Sequence, residues 1–286
     1  LDAVEALDAG VRHGGFAHAA AALHRVPSAV SYQVAKLEEQ LGVKLLDRSG
    51  YRVRLTPAGE AVLKEGQKLL AQARHLAAVA EQLSAGWEPR LEIVVDGVLP
   101  LGRTLAALKT LAGERVPTRI QVKVEYQGGV QYRFEKDRAD LMLVKDYTQA
   151  PGYLAEPLAE LECVLCVAPD HALAGRRGVT QGELHEHVEL SVQDSSDQGV
   201  DRHGFGGERA FYLAGFNTKK QALLEGLGFG WMPRYLVDGD LAAGSLLELD
   251  YLGGSRYRFT PMLVHRLDAP LGRTGLRLVE LLREPG

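Results

Sequence analysis

The sequence predicts an α/β protein overall, with an all-α segment at its start, one long helix, and a larger α/β region. Three observations support this prediction. The chain has 286 residues, enough for about two domains. Residues 57–86 keep a helical pattern without a break, and strands alternate with helices beyond residue 90. We therefore expect a first domain at 1–56, a linker helix at 57–88 and a second domain at 89–286.

The composition is that of a globular protein. Charged residues make up 24% and hydrophobic residues 46% of the chain, which excludes a disordered chain. The longest near-apolar run, 161–168, is far shorter than the roughly 20 residues of a membrane span. No signal peptide is visible at the acidic start, and the two cysteines fit a reducing compartment. We therefore expect a cytoplasmic protein.

Positive charge is concentrated near the start of the chain. The net charge is −4, yet the stretch from Arg12 to Arg54 has seven basic and three acidic residues. The region beyond residue 90 is net acidic. A compact basic patch on an acidic chain favours one module that binds a polyanion and another with a different role.

The first segment is predicted to contain three short helices. Residues 2–13 form the first, which Gly14 and Gly15 stop, and the alanine-rich residues 16–23 form the second. Ser28 is a good N-cap for the third, which Gly42 ends. The predicted buried face of this third helix comprises Val30, Val34, Leu37 and Leu41, and its other face carries Ser31, Tyr32, Ala35 and Lys36.

A short basic strand follows these helices. Residues 51–55 alternate as a strand, and Ser49-Gly50 supplies the turn before it. Two short helices joined by a tight turn and followed by a basic hairpin are typical of a winged helix-turn-helix.

The long helix begins with Thr56 as N-cap and Pro57 in the first turn. Thirty residues would span about 45 Å, too long for the interior of a small domain. Its apolar and small residues recur every seven positions, as in a helix–helix seam: the predicted dimerisation residues are Val62, Gly66, Leu69, Ala73, Leu76, Ala80 and Leu83. The alternative is a helix that lies on its own domain.

Beyond residue 90 the predicted strands are 91–95, 120–126, 140–144, 161–168, 188–192 and 258–266. The predicted helices are 100–112, 128–138, 180–185, 218–227 and 272–283. This alternation indicates a mostly parallel sheet, in which ligands bind at the carboxyl ends of strands.

A family resemblance rests on residues 16–63, FAHAAAALHRVPSAVSYQVAKLEEQLGVKLLDRSGYRVRLTPAGEAVL. This run resembles the DNA-binding domain of LysR-type transcriptional regulators, a bacterial family. Its first part, together with Gly86-Trp87-Glu88, is similar to the YhaJ-type branch. Residues 169–173 and 228–233 are similar to recurring segments of the family's effector domain. One departure is Arg25-Val26-Pro27-Ser28, where many members have Val-Ser-Gln-Pro before the third helix.

The resemblance implies that the third helix enters the major groove of double-stranded DNA, with its first residues nearest the bases. Ser28, Ser31, Tyr32 and Lys36 can then bond base edges or phosphate. Arg52, with Arg54 second, is the candidate for the minor groove, and Arg48 and Thr56 for phosphates. The alternatives are solvated surface charges for the basic residues and packing against the wing for Tyr32.

The resemblance also implies a periplasmic-binding-protein-like (type 2) effector domain. Its two subdomains would span about 89–165 with 267–286, and about 166–266, with crossing strands near 165–168 and 263–267. The candidate effector-binding residues are Asp96, Gly97, Val98, Gly128, Gly129, Ser191, Val192, Trp231 and Met232. Asp96 would repel a carboxylate, so an aromatic or phenolic effector is favoured; alternatively, Asp96 only caps the following turn.

The expected assembly is a homotetramer of two dimers that binds an operator, a small-molecule effector and RNA polymerase. We expect no cofactor, no metal site and no catalytic residue. Cys163 and Cys166 are interpreted as small buried hydrophobic residues, with a redox-sensing thiol as the alternative. The competing class is an enzyme or solute-binding domain with an accessory DNA-binding module.

Overall fold

A computed structural model describes residues 1–47, 54–196 and 203–284. The chain divides into two compact units, Leu1–Ala85 and Gly86–Gly286. Each unit has its own hydrophobic core and is described by itself. Within the described ranges, no helix has the length and apolarity that crossing a membrane would need.

The first unit is a small helical domain with a two-stranded wing base. Its elements are α1 (Asp2–Arg12), α2 (Phe16–Ala22), α3 (Pro27–Leu41), β1 (Leu46–Asp47), β2 (Arg54–Leu55) and α4 (Pro57–Ser84). Strands β1 and β2 are antiparallel. The predicted strand positions 51–53 lie outside the described residues.

Helix α3 begins earlier than predicted. Val26 is its N-cap and Pro27 occupies the first turn, so the prediction that Ser28 is the N-cap is wrong. Proline fits there because its φ is already helical and its missing N–H would have no partner in the helix. Val30 and Val34 are buried as predicted.

Leu41 corrects a second prediction for α3, because it is exposed rather than buried. It lies in the last turn, immediately before Gly42, which ends the helix in the left-handed conformation (φ 67°). The chain changes direction at this point. The helical spacing of apolar residues therefore extends to Leu41, although the core of the unit ends one turn earlier.

Buried Glu38 ties α3 to the wing. Its Oε1 accepts hydrogen bonds from the backbone N–H of Leu45 (2.7 Å) and of Leu46 (3.1 Å). A carboxylate that accepts two backbone N–H groups satisfies the buried donors just before and at the start of β1.

The start of α4 packs directly on the same segment. Thr56 caps the helix as predicted: its Oγ1 accepts from Gly59 N (2.9 Å) and donates to Lys44 O (2.7 Å). A methyl group on Gly59 would stand 2.1 Å from Leu45 O. Only glycine permits this close approach of helix and loop.

The second unit contains two sheets with helices packed against them. Its first elements along the chain are β3 (Arg90–Asp96), α5 (Leu101–Gly113), β4 (Arg119–Glu125), α6 (Gly128–Lys136), β5 (Leu141–Val144) and β6 (Tyr153–Pro157). They continue with β7 (Leu161–Val167), α7 (Gln181–His185), β8 (Glu189–Val192), β9 (Ala210–Leu213), α8 (Phe216–Leu224) and β10 (Phe229–Pro233). The last are α9 (Arg234–Ala243), β11 (Leu247–Glu248), β12 (Arg256–Phe259), β13 (Met262–Arg266) and α10 (Arg273–Arg283).

The strands form two separate sheets, one in each subdomain. The first sheet has the order β4-β3-β5-β13-β6, and the second β11-β7-β10-β8-β9 with β12 paired to β7. Strand β3 is parallel to β4 and β5, whereas β13 is antiparallel to β5 and β6. The sheets are therefore mixed rather than wholly parallel.

The chain crosses between the subdomains at 158–160 and again at 260–261. The predicted crossings near 165–168 and 263–267 are wrong, because those segments are strands within one sheet each. The predicted strand 258–266 is accordingly two strands, β12 and β13. Pro261 lies between them and has no N–H to donate to a continuous ladder.

Candidate functional site

One face of α3 is exposed and polar. Ser28, Tyr32 and Lys36 are exposed and four residues apart, so they share a face. Tyr32 is 66% exposed. Ser31 is half-buried beside them. Side chains that can donate and accept hydrogen bonds thus project from one helical surface.

Of the predicted DNA-binding residues in and beside the wing, the structure describes Arg54 and Thr56. Arg54 is exposed on β2, whereas Arg48 and Arg52 lie outside the described residues. The hydroxyl proton of Thr56 is directed to Lys44 O. Any phosphate contact by that hydroxyl would therefore compete with a bond that holds the wing base together.

Helix α4 has two distinct faces. Leu63 packs in the core of the first unit, and Leu70 is also buried, so the start of the helix lies on its own domain. Leu69, Leu76 and Leu83, seven residues apart, are 50%, 71% and 56% exposed. These three residues form the leucine seam.

Gly66 corrects part of the predicted dimerisation surface. It is buried, and a methyl group on it would stand 2.5 Å from Val4 Cγ1 of α1. Val62 also packs against the core of the first unit. Both residues therefore serve packing within the chain.

A cavity of about 520 Å³ lies between the two subdomains of the second unit. Its walls come from the ends of strands and the starts of helices, as expected for α/β sheets. Six of the predicted effector-binding residues line it, namely Asp96, Val98, Gly128, Ser191, Val192 and Trp231.

The other three predicted residues do not line this cavity. Met232 is fully buried in the core of the second subdomain, so its prediction is wrong; successive residues of β10 face opposite sides of the sheet. Gly97 lies against the Tyr126 ring, and a methyl group there would be 2.1 Å from that ring. Gly129 is buried at the start of α6.

Asp96, at the end of β3, is 2% exposed and forms part of the cavity wall. It accepts hydrogen bonds from Val98 N (3.1 Å) and Lys145 N (3.3 Å). It therefore does cap the following turn. Burial raises the pKa of this carboxyl to about 7, against the opposing effect of those hydrogen bonds and of the Lys145 charge.

Sequence reasoning missed several residues of the cavity wall. Lys145 follows β5, and the strand-end rule that selected Asp96 would also have selected it. Its Nζ is 2.9 Å from Asp146 Oδ2 and 5.1 Å from the centre of the Tyr257 ring. Lys219 projects from α8 and is buried; no motif marks it.

The two subdomains also contact each other across the cleft. Tyr235 of the second subdomain donates to Val98 O (3.3 Å), and Ser195 donates to Glu125 Oε2 (2.5 Å). The cleft is therefore closed by polar contacts beside the cavity.

Both cysteines are buried in β7, and burial raises the pKa of Cys163 to about 11 and of Cys166 to about 12. Residues three apart in a strand are separated by roughly 10 Å, too far for a disulfide. Burial and the raised pKa values favour the interpretation of both cysteines as packing residues over that of reactive thiols. Within residues 1–47, 54–196 and 203–284, no three His, Cys, Asp or Glu side chains are grouped to hold a metal ion.

A winged helix-turn-helix joined to two subdomains around a ligand-sized cavity defines a DNA-binding protein with a ligand-binding domain. Two family descriptions match the chain: "Bacterial regulatory helix-turn-helix protein, lysR family" over residues 1–60 and "LysR substrate binding domain" over residues 84–285. The chain belongs to the LysR family of transcriptional regulators, as the resemblance predicted.

Two relatives agree with this assignment. The chain is 34% identical to the transcriptional regulator YhaJ of Escherichia coli O157:H7, over 86% of the chain and 84% of YhaJ. It is 43% identical to the regulator PunR of Escherichia coli K12, over 86% of the chain and 81% of PunR. Both relatives are regulators rather than enzymes.

Solved structures of similar fold include an OxyR mutant from Corynebacterium glutamicum, with TM-score 0.70, 19% identity and coverage of 98% of this chain and 91% of that one. Full-length LysG from the same organism has TM-score 0.55 and 19% identity, with coverage of 99% and 96%. At this identity the similarity concerns the fold.

Proposed function

We propose that residues 1–56 bind an operator in double-stranded DNA, that 57–88 join two copies of the chain, and that 89–286 bind the effector. The exposed face of α3 carries the DNA-binding part of this proposal. A helix with free polar side chains on one face, held by Glu38 to a wing, suits the major groove. A regulator of this kind acts in the cytoplasm, where it meets DNA and RNA polymerase.

Footprinting on the chain's own upstream intergenic region tests DNA binding. We expect protection of two half-sites, and we expect Lys36→Ala to weaken binding by about five- to 150-fold, because a lost contact of this kind costs about 1–3 kcal/mol. A salt titration shows whether Lys36 contacts a phosphate or a base. Loss of a phosphate contact lowers by about one the slope of log affinity against log salt concentration, whereas loss of a base contact relaxes the sequence preference.

Lys64→Ala is the matched control, because Lys64 is an exposed lysine of another helix, α4. Its affinity should equal that of the parent. Equal protection by the parent and by Lys36→Ala would contradict the role of the α3 face.

The leucine seam supports self-association through α4. Three exposed leucines on one heptad row leave apolar surface that a second helix can cover. Leu76→Glu should dissociate the dimer in sedimentation and reduce operator affinity about a hundredfold, because two linked domains bind two half-sites far better than one.

Ala78→Glu introduces the same charge two residues further along α4, on the other side of the helix, and should leave the dimer intact. If Leu76→Glu sedimented like the parent, the seam would not be the dimer contact. A tetramer built from two such dimers is the assembly we propose.

The cavity walls support an aromatic or phenolic effector. Phe216, Trp231 and Tyr257 supply aromatic surface, and polar groups stand among them, the usual pattern of small-molecule sites. The ionised form of Asp96, which predominates above pH 7, disfavours a carboxylate on this wall. Binding would bias one arrangement of the subdomains, with a coupling to DNA binding of typically 1–3 kcal/mol.

A further inference from the structure

A short loop of the second subdomain lies against the start of α6 in the first subdomain. Methyl groups built on Gly128 and Gly129 would stand 3.1 Å from Asp194 Oδ2 and 2.8 Å from Asp194 Oδ1. The absence of side chains at these two glycines lets the Asp194 carboxylate approach the first turn of the helix.

The loop is fixed by its own hydrogen bonds. Asp194 Oδ1 accepts from Ser196 N (2.8 Å) and its Oδ2 accepts from Ser196 Oγ (2.9 Å). Ser195 of the same loop donates to Glu125 across the cleft (2.5 Å). These bonds fix the loop with its carboxylate beside the helix start.

The first turn of α6 attracts negative charge. Within the described residues, the side chain of the N-cap residue Gln127 makes no capping hydrogen bond to this helix, and the N-terminus of a helix carries partial positive charge that stabilises an anion nearby. Asp194 thus supplies, from within the chain, the negative charge that a carboxylate ligand would bring to the same turn.

The rest of the described cavity wall adds to this effect. Besides Asp194 it contains Glu135 and Asp146, as well as Asp96, whose pKa of about 7 leaves it about half ionised at neutral pH, and two lysines. One of these lysines, Lys145, is already paired with Asp146. A carboxylate ligand would enter a cavity whose described wall has more acidic side chains than lysines. The start of α6, which would attract it, already has the Asp194 carboxylate beside it.

We propose that Asp194 is a specificity-determining residue of the effector cavity, which excludes carboxylate ligands and selects aromatic ligands without a negative charge. The proposal rests on the proposed function only in taking this cavity as the effector site. Asp194 acts by occupying the anion-favouring turn at Gly128 and Gly129.

The test uses calorimetry on the full chain with benzoate and benzamide, which have nearly the same shape and differ in charge. The parent should bind benzoate at least about tenfold more weakly than benzamide, and Asp194→Asn should gain about tenfold in benzoate affinity, the size of a partly buried helix-terminus interaction. Asparagine keeps the shape of the loop, since its amide can still bond Ser196.

Glu135→Gln is the matched control. It removes one negative charge from the same cavity wall, but Glu135 is exposed near the end of α6 and not at its start. Benzoate affinity should stay near that of the parent if the position of the charge matters, and should rise as in Asp194→Asn if only the net charge does.

A parent that prefers benzamide, together with a gain of benzoate binding specific to Asp194→Asn, supports the proposal, and a parent that binds benzoate as tightly as benzamide overturns it. Equal benzoate affinity in the parent and Asp194→Asn, including no binding by either, overturns it, as does an equal gain in Glu135→Gln. Because the readout is ligand binding alone, failure of the DNA footprint would count against the proposed function and leave this result unaffected.

Discussion

Asp96→Asn is expected to remove a pH-dependent loss of stability from the second unit. Burial raises the pKa of Asp96 from 3.8 to about 7 in the folded chain. Between these values the folded protein holds a proton that the unfolded chain releases, so its stability falls as pH rises from about 4 to about 7 and is constant above. The two pKa values correspond to about 4 kcal/mol over this window.

Urea unfolding of the parent and Asp96→Asn at pH values from 4.5 to 8 measures this difference. The variant should gain stability relative to the parent as pH rises, because asparagine resembles the protonated acid. Asp250→Asn, which removes an exposed carboxylate of the second subdomain, should follow the parent. Parallel profiles for the parent and Asp96→Asn would mean that Asp96 is ionised at little cost in the folded chain.

Gly59→Ala is expected to unfold the DNA-binding unit at a much lower temperature. The new methyl group would meet Leu45 O at 2.1 Å, and a backbone carbonyl cannot rotate away as a side chain can. We expect a loss of about 3 kcal/mol, which lowers the melting temperature of a small domain by roughly 15 °C. Calorimetry should resolve this shift, and operator binding should be lost with it.

Gly102→Ala provides the control, since a methyl group at that helical glycine meets nothing within 4 Å. It should be neutral or slightly stabilising, because alanine is the better helix former. A melting temperature for Gly59→Ala within a few degrees of the parent would show that α4 can shift away from the wing at little cost.

The sequence predicted long, regular elements well because their patterns depend on local physics. Thr56 with Pro57 predicted the start of α4, and Gly42 predicted the end of α3; both are confirmed. These signals come from capping and from backbone conformation, which neighbouring residues determine. The LysR assignment succeeded for a different reason, since it rests on a specific combination of motifs.

Prediction failed where tertiary contacts decide the outcome. Strand β6 is a short segment whose partner β13 lies far away in the chain, and β9 has only four residues, so no local periodicity marks them. Met232 was selected together with Trp231, yet the two face opposite sides of β10. Lys219 is an ordinary helix residue in sequence and reaches the cavity only because α8 packs beside it.

Because the start of α4 packs on the first unit, the helix determines where a fragment of the chain can end. Leu63 belongs to the core of the first unit, although it lies beyond the boundary that the motif at residue 56 suggests. Gly66, further along α4, packs against Val4 of α1. A fragment that stopped at residue 56 would lose Leu63 from its own core and expose the apolar surface of α1. The shortest self-sufficient first unit therefore extends past Gly66, into the same helix whose exposed leucines we propose for assembly.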